Sequence, residues 1–324
     1  MMALLNNYFQ NLSWLLASFT VILFLHQIGS AESGLAADEE RLIHDLTRSN
    51  NIFARPVWNA SDTLTVKLGL ALTKIMDFDE AASVMRSNVW MRFLWNDVAM
   101  IWNPADYGDI GMVRLPIKTV WRPDIVLYNA VGNEKHWDEG EHRTAIIYND
   151  GTVLYIPHTT LTTQCAFNHR LYPYDKQTCY MKFGSWTHDG FQLDLGFYEG
   201  KKSIDLTDYI ADNGWDILDV GAVKNIKKYP CCMEPYPDIT FNLTVQRRSS
   251  YLTVVYIYPA VIVAFVSPLM FLIPHRVPGK ILFGLVVLLI EVIQMMMLNT
   301  TLPGHRVNTP IIVLVYLYSM AITT

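Results

Sequence analysis

The chain has 324 residues, a net charge of −5 and only four cysteines, and 51% of its residues are hydrophobic. The length fits about two domains, and the near-balanced charge lacks the basic excess that a nucleic-acid binder needs, so no nucleic-acid partner is expected. A positive mean hydropathy argues against a wholly soluble chain and for membrane segments.

Residues 14–28, WLLASFTVILFLHQI, form one apolar run followed by small residues, with a cleavage point after Ala31. This is the pattern of a secretory signal peptide over residues 1–31. A first membrane helix is the alternative, but the run falls short of the roughly 20 residues that a span needs. DEERLIHDLTR (38–48) has helical spacing. The chain then reads mainly as strands, over 62–80 and 87–103, at FQLDLGFY, and at DITFNLTVQR. In the second of these, Val89, Met91, Phe93 and Trp95 share one face, and Trp90, Arg92 and Leu94 the other. Residues 144–157 predict a hairpin turning at Asn149–Asp150–Gly151. Many short strands with turn signals predict an all-β, immunoglobulin-like sandwich with an N-terminal helix over residues 32–248. The triplets that begin at Asn59 and Asn242 are glycan acceptors if they lie outside the cell.

From Tyr251 the character changes. Uncharged residues 251–273 are long enough to cross a bilayer, even with Pro259 and Pro268 among them. The basic turn HRVPGK follows, then an apolar run over 280–298 with one charge, Glu291, then the polar stretch NTTLPGHRVNT. A third apolar run, 310–324, is too short to span comfortably. The predicted arrangement is an outer sandwich followed by an α-helical transmembrane bundle (249–324), incomplete in this chain. The turn at His275, Arg276 and Lys280 is cytoplasmic by the positive-inside rule. No nucleophile–base constellation, metal-ligand spacing or phosphate-binding loop stands out, so no enzyme, cofactor or metal is expected. His136, His142, His158, His169 and His188 are scattered, and surface or packing roles are expected for them.

Four cysteines allow three pairings. Closing the loop between Cys165 and Cys179 stabilises by roughly 3 kcal/mol in the chain-entropy model. That choice leaves Cys231 with its neighbour Cys232, whose Cα atoms are about 3.8 Å apart across a trans peptide, less than the about 4.4 Å that disulfides normally need. On geometry alone, crossed pairs from Cys231 and Cys232 to Cys165 and Cys179 are preferred.

The loop C-AFNHRLYPYDKQT-C resembles the signature loop of the Cys-loop receptors, the pentameric neurotransmitter-gated channels, with Tyr172–Pro173–Tyr174–Asp175 as its core. WRPDIVLYN (121–129), SWTHDG (185–190) and YPCCMEPYPDITF are further matches, in register, ahead of spans in the expected order. The adjacent cysteines resemble those of α-type subunits of nicotinic acetylcholine receptors. The resemblance implies disulfides Cys165–Cys179 and Cys231–Cys232, the latter on a loop that closes over agonist. It also implies a subunit of an acetylcholine-gated channel in a homo- or heteromeric pentamer of homologous chains, in the plasma membrane of a synapse.

A quaternary ammonium donates no hydrogen bond, and aromatic faces bind it with about 0.5–2 kcal/mol per good contact. By resemblance the box is Tyr128, Trp186, Tyr229 and Tyr236, beside Cys231 and Cys232, and it takes acetylcholine or a related cationic amine. The complementary face, presented to a neighbouring subunit, is Trp90 with Ile146, Leu154 and Ile156. Coupling to the membrane is implied for Glu80 paired with Arg247, and for Tyr172, Pro173, Tyr174 and Asp175 against the loop around Pro303. The implied pore positions are Gly279, Lys280, Leu282, Val286, Leu289 and Ile293.

The chain departs from that pattern in several places. Gly279 stands where cation-selective relatives carry an acid, and Arg276 replaces another acid of the inner mouth. Leu282 and Val286 replace hydroxyl residues, and Glu291 falls off the expected pore face. Asn168 and His169 replace an Asp and a β-branched residue of the signature loop. Charge rings decide which ions enter. These changes leave a requirement for partner subunits, anion conduction or no conduction open beside a cation channel, and the short third run leaves open a truncated subunit that binds ligand without conducting.

Overall fold

The structure is a computed structural model that describes residues 37–48, 50–132, 143–211, 214–230, 232–302 and 308–324. The expected signal peptide, Cys231 and Pro303 lie outside the described residues. The chain divides into two compact units.

The first unit includes the helix α1 (37–48), Asn96–Arg122 and Thr144–Leu154. Leu42 and Leu46, one turn apart, supply the buried face of α1. On its other side Arg41 donates to the Asp106 carbonyl at 2.5 Å and covers the Tyr107 ring at 5.1 Å. Strand β3 (Met112–Pro116) pairs with β5 (Thr144–Tyr148), which pairs with β6 (Asp150–Tyr155), setting Ile146 opposite Leu154. The hairpin turns where the sequence predicts. Gly151 has φ +83°, and a Cβ there would lie 2.5 Å from the Asp97 carbonyl oxygen, so only glycine fits.

The second unit is a sandwich of two sheets followed by helices. In one sheet, β1 (Leu64–Asp79) pairs antiparallel with β2 (Val84–Ile101) and parallel with β9 (Leu193–Phe197), and β7 (His158–Gln164) lies on β2. The other sheet runs β10 (Trp215–Asp219), β12 (Pro235–Arg247), β8 (Lys176–Ser185), β4 (Ile125–Leu127), with β11 (Ala222–Lys228) also on β12. Alternation builds the core. Val89, Met91, Phe93 and Trp95 of β2 are buried, as their period of two predicts. Phe183 and Phe241 meet edge to face, with centroids 6.0 Å apart.

A disulfide joins Cys165 to Cys179, with Cα atoms 5.0 Å apart, so the crossed pairing preferred on geometry is overturned. The residue after β7 is brought within disulfide reach of β8 by the packing of the two sheets. Cys232 is also disulfide-bonded.

Among the described residues, two helices are long and apolar enough to cross a membrane, α2 (Ser250–Leu272) and α3 (Gly279–Thr301), and a shorter apolar helix, α4 (Ile311–Thr323), follows. α2 is not uniform. It opens into a π-type turn over Thr253–Ile257 and tightens to 3-10 geometry over Ser267–Leu272, where Pro268 enters. α3 runs through Asn299, Thr300 and Thr301, which the sequence reading gave to a loop. The Thr300 and Thr301 hydroxyls donate back to the Met297 carbonyl at 2.7 and 3.0 Å, so polar side chains continue the helix. Glu291 is fully buried. Its carboxyl accepts from Ser267 of α2 at 3.3 Å, from Thr323 of α4 at 3.2 Å, and from Ser319 of α4.

Candidate ligand-binding site and its link to the apolar helices

Two short loops and one strand pair build the site. Tyr128 follows β4, and its backbone N–H donates to the Lys182 carbonyl at 2.8 Å. Its hydroxyl donates to the Ser185 carbonyl at 2.6 Å. The ring lies so close over β8 that a Cβ on Gly184 would overlap its phenol carbons. Trp186, which follows β8, is fixed from behind by Asp124. Its N–H donates to the Asp124 carbonyl at 3.1 Å. The Asp124 carboxylate accepts from the Ser185 hydroxyl at 2.6 Å, from the Thr187 N–H and hydroxyl at 2.6 and 2.5 Å, and faces His188 Nδ1 at 3.0 Å. Burial raises the Asp124 carboxyl, but the hydrogen bonds from Ser185, Thr187 and His188 outweigh it and hold the group below the ordinary range.

Tyr229 and Tyr236 come from the other side, at the adjoining ends of β11 and β12, with ring centroids 5.5 Å apart. Cys232 donates its N–H to the Tyr229 carbonyl at 3.1 Å. Tyr128, Lys182, Ser185, Trp186, Tyr229 and Tyr236 line one cavity of about 400 Å³. All four aromatic residues of the expected box are therefore brought together. Trp186 is 71% exposed and Tyr229 45%, so neither is a core residue. Burial, followed by the nearby charges of Tyr229, Asp238 and Asp124, pushes the Tyr128 hydroxyl up to about 12, so it stays a neutral donor.

Sequence reasoning missed Lys182. Its ammonium pairs with Asp238, which is buried, at 3.0 Å and stands 5.5 Å from the Tyr128 ring centroid. Only the pairing of β8 with β12 brings these residues together, and no local pattern announces that register.

The expected complementary residues do not line this cavity. Trp90 and Ile156 are 38% and 45% exposed on the second unit. Ile146 and Leu154 are half-buried cross-strand partners in the first. Asn59 is exposed, and Asn242 is half-buried in β12.

At the far end of β12, Arg247 donates to Glu80 at 2.6 Å, as expected. It also donates to both carboxylate oxygens of Asp175, at 2.8 and 3.0 Å, a partner the sequence reading did not give it. The guanidinium lies 4.3 Å over Trp215 and 5.1 Å over Tyr172. Tyr172 is buried with Tyr256, Leu298, Leu302, Ile312 and Tyr316, and burial raises its phenol. The Tyr174 hydroxyl meets that of Thr253 at 2.8 Å, and Ile311 donates its N–H to the Arg170 carbonyl at 3.0 Å. The tip of the disulfide loop thus packs on all three apolar helices. Its expected partner, Pro303, lies outside the described residues. Along α3, Gly279, Leu282, Val286, Leu289 and Ile293 are exposed on one stripe, while Gly284, Val287, Glu291 and Leu298 are buried. Lys280 folds back to donate to the Ile273 carbonyl at 3.2 Å.

Comparison with known proteins agrees with this architecture. Residues 39–249 match the neurotransmitter-gated ion-channel ligand binding domain. The chain is 36% identical over 313 residues to acetylcholine receptor subunit beta-like 1 of Drosophila melanogaster, covering 96% of this chain and 58% of that protein. It is 36% identical over 292 residues to acetylcholine receptor subunit alpha-L1 of Schistocerca gregaria, covering 88% and 52%. It is 34% identical over 289 residues to human neuronal acetylcholine receptor subunit alpha-6, covering 89% and 58%. The chain therefore spans between half and three-fifths of the length of these relatives, which are receptor subunits rather than enzymes. With its sandwich, its Cys165–Cys179 loop and the apolar helices behind them, the chain belongs to the neurotransmitter-gated ion-channel family.

Proposed function

We propose that the chain is a subunit of an acetylcholine-gated pentameric channel and that its aromatic cavity receives the quaternary ammonium of the agonist. The observation that carries this reading is the convergence of Tyr128, Trp186, Tyr229 and Tyr236 on one cavity of about 400 Å³. Trp186 is the principal π face, and the segment carrying Tyr229, Cys231 and Cys232 closes over the ligand. Trp90, Ile146, Leu154 and Ile156 offer the complementary surface to a neighbouring subunit. Agonist favours the closed-loop state by binding it more tightly, and the Glu80–Arg247–Asp175 cluster with Tyr172 carries the change to the helices. The chain sits in the plasma membrane with the sandwich outside, at synapses, and Asn59 and Asn242 carry glycans.

The test is equilibrium binding of a radiolabelled quaternary ammonium ligand to membranes holding the chain with its partner subunits. Trp186→Ala is expected to weaken binding by about 0.5–2 kcal/mol, a factor of roughly 2 to 30. Equal affinity in the two proteins sinks the reading.

A second reading, ligand binding without conduction, has one observation in its favour. The exposed stripe of α3 presents Leu282, Val286, Leu289 and Ile293, with Gly279 in place of an acid. Such a ring is apolar and gates by dewetting. Agonist-evoked current in the expressed protein separates the readings, and its reversal potential separates cation from anion passage.

A further inference from the structure

The cluster at the base of the sandwich is unbalanced. It contains two carboxylates, Glu80 and Asp175, and one guanidinium, Arg247. Arg247 is bonded to Glu80 Oε1, so Glu80 Oε2 is left to face another group. That group is His169, whose Nδ1 lies 3.3 Å away. The imidazole is only 3% exposed and stacks on Phe167 at 6.1 Å. With a neutral imidazole the cluster carries a net charge of −1 in a poorly solvated place. With an imidazolium it carries none. Uncompensated buried charge is costly, so the site favours the protonated ring. Among the described residues, the other titratable groups facing the cluster are the phenols of Tyr172, beside Arg247, and Tyr256, beside Tyr172. Burial keeps Tyr172 neutral, so neither phenol competes for this role.

We propose that His169 is a proton-operated latch. Its imidazolium closes on Glu80 and fixes the β1–β2 turn to the disulfide loop, and its deprotonation loosens that contact. As regulation, this rests on reading the junction as the path from the ligand cavity to the helices, but its test uses no ligand. Burial and the nearby Arg247 act against the charged ring, and the latch requires the facing Glu80 carboxylate to outweigh them, which puts the folded midpoint above the unfolded value of about 6.5. Its stabilising effect is complete below about pH 6.5 and is lost as the pH rises through the folded midpoint, tenfold in the folding equilibrium for each unit of separation.

The experiment is site-resolved C2-hydrogen exchange of the histidines in the full chain in detergent, read by mass spectrometry across pH 5 to 9. The expected result is a His169 midpoint above about 6.5 that falls in Glu80→Gln. A wild-type midpoint at or below that value overturns the proposal, and this arm stands even if the variant fails to fold. Melting temperatures give a second readout. The gap between wild type and His169→Gln is expected to widen from pH 8 to pH 5.5, and parallel profiles overturn the latch.

Discussion

Arg247 and Glu80, 167 residues apart in sequence, meet at 2.6 Å, with side chains only 12% and 13% exposed. Asp175 occupies the rest of the guanidinium edge, so the two possible disruptions are unequal. Glu80→Gln leaves Arg247 bonded to Asp175 and is expected to cost about 1–3 kcal/mol. Arg247→Met strands two carboxylates and is expected to cost about 3–5 kcal/mol. Unfolding of both variants in detergent checks the order, and equal losses would mean that Asp175 does not share the arginine.

Gly184→Ala forces the Tyr128 ring away from β8, because the added methyl occupies its place. Overpacking of this kind costs about 1–3 kcal/mol, and it breaks the Tyr128–Ser185 bond that shapes the cavity floor. Gly184→Ala and Tyr128→Ala are expected to be strongly non-additive in a double-mutant cycle on stability, since removing the ring removes the clash.

Asp205 is held at about 2 by the Thr207 hydroxyl and N–H, with Arg92 adding to them. Its folded value is below the unfolded one, so its contribution is present above about pH 4 and is lost as the pH falls toward 2. In Thr207→Val the Asp205 carboxyl is expected to titrate closer to the ordinary carboxylate value. A carbon-detected NMR titration of the side chain reads this directly, and an unchanged midpoint assigns the depression to the residue 207 N–H and Arg92 rather than to the hydroxyl.

Glu291→Leu removes the acceptor shared by Ser267, Ser319 and Thr323. Interhelical hydrogen bonds in membranes contribute about 0.6–2 kcal/mol each, so losing all three is expected to cost about 2–6 kcal/mol. Glu291→Gln, which keeps one acceptor, is expected to lose less. Resistance to unfolding in mixed micelles ranks the three proteins.

Cys165→Ser opens the loop to Cys179 and is expected to cost about 3 kcal/mol by the chain-entropy argument. A melting comparison under reducing and oxidising conditions checks it. The variant is expected to lose the redox response belonging to this loop and to keep that of Cys232.

Periodicity made the fold legible wherever one face was wet and the other dry. On β2 the alternation from Val89 to Trp95 sorted the inward side chains correctly. The four aromatic residues that line one cavity were picked out by resemblance, because they sit in or beside the short matching motifs WRPDIVLYN, SWTHDG and YPCCMEPYPDITF. What the sequence concealed was contact made across strands. Lys182 meets Asp238, and Arg247 meets Asp175, only through the pairing of β8 with β12. Spacing alone left the disulfide partner of Cys165 open, because the packing of the two sheets sets the decisive distance, whereas the family resemblance implied Cys179, the partner it has. The outer end of α3 was misjudged because Thr300 and Thr301 satisfy themselves on their own helix.

The π-type turn at Thr253–Ile257 gives α2 one residue of slack. It holds Tyr256 against Tyr172, where the tip of the disulfide loop rests. If those five residues relaxed to ordinary α-spacing, the helix beyond them would advance by about 1.5 Å and turn by roughly 100° relative to the sandwich. Tyr256 would swing off its neighbour, and its hydroxyl would leave that of Thr301, now 2.5 Å away. The first apolar helix is therefore wound like a screw with one thread left to take up. A small push from the loop above it has a ready rotation to become.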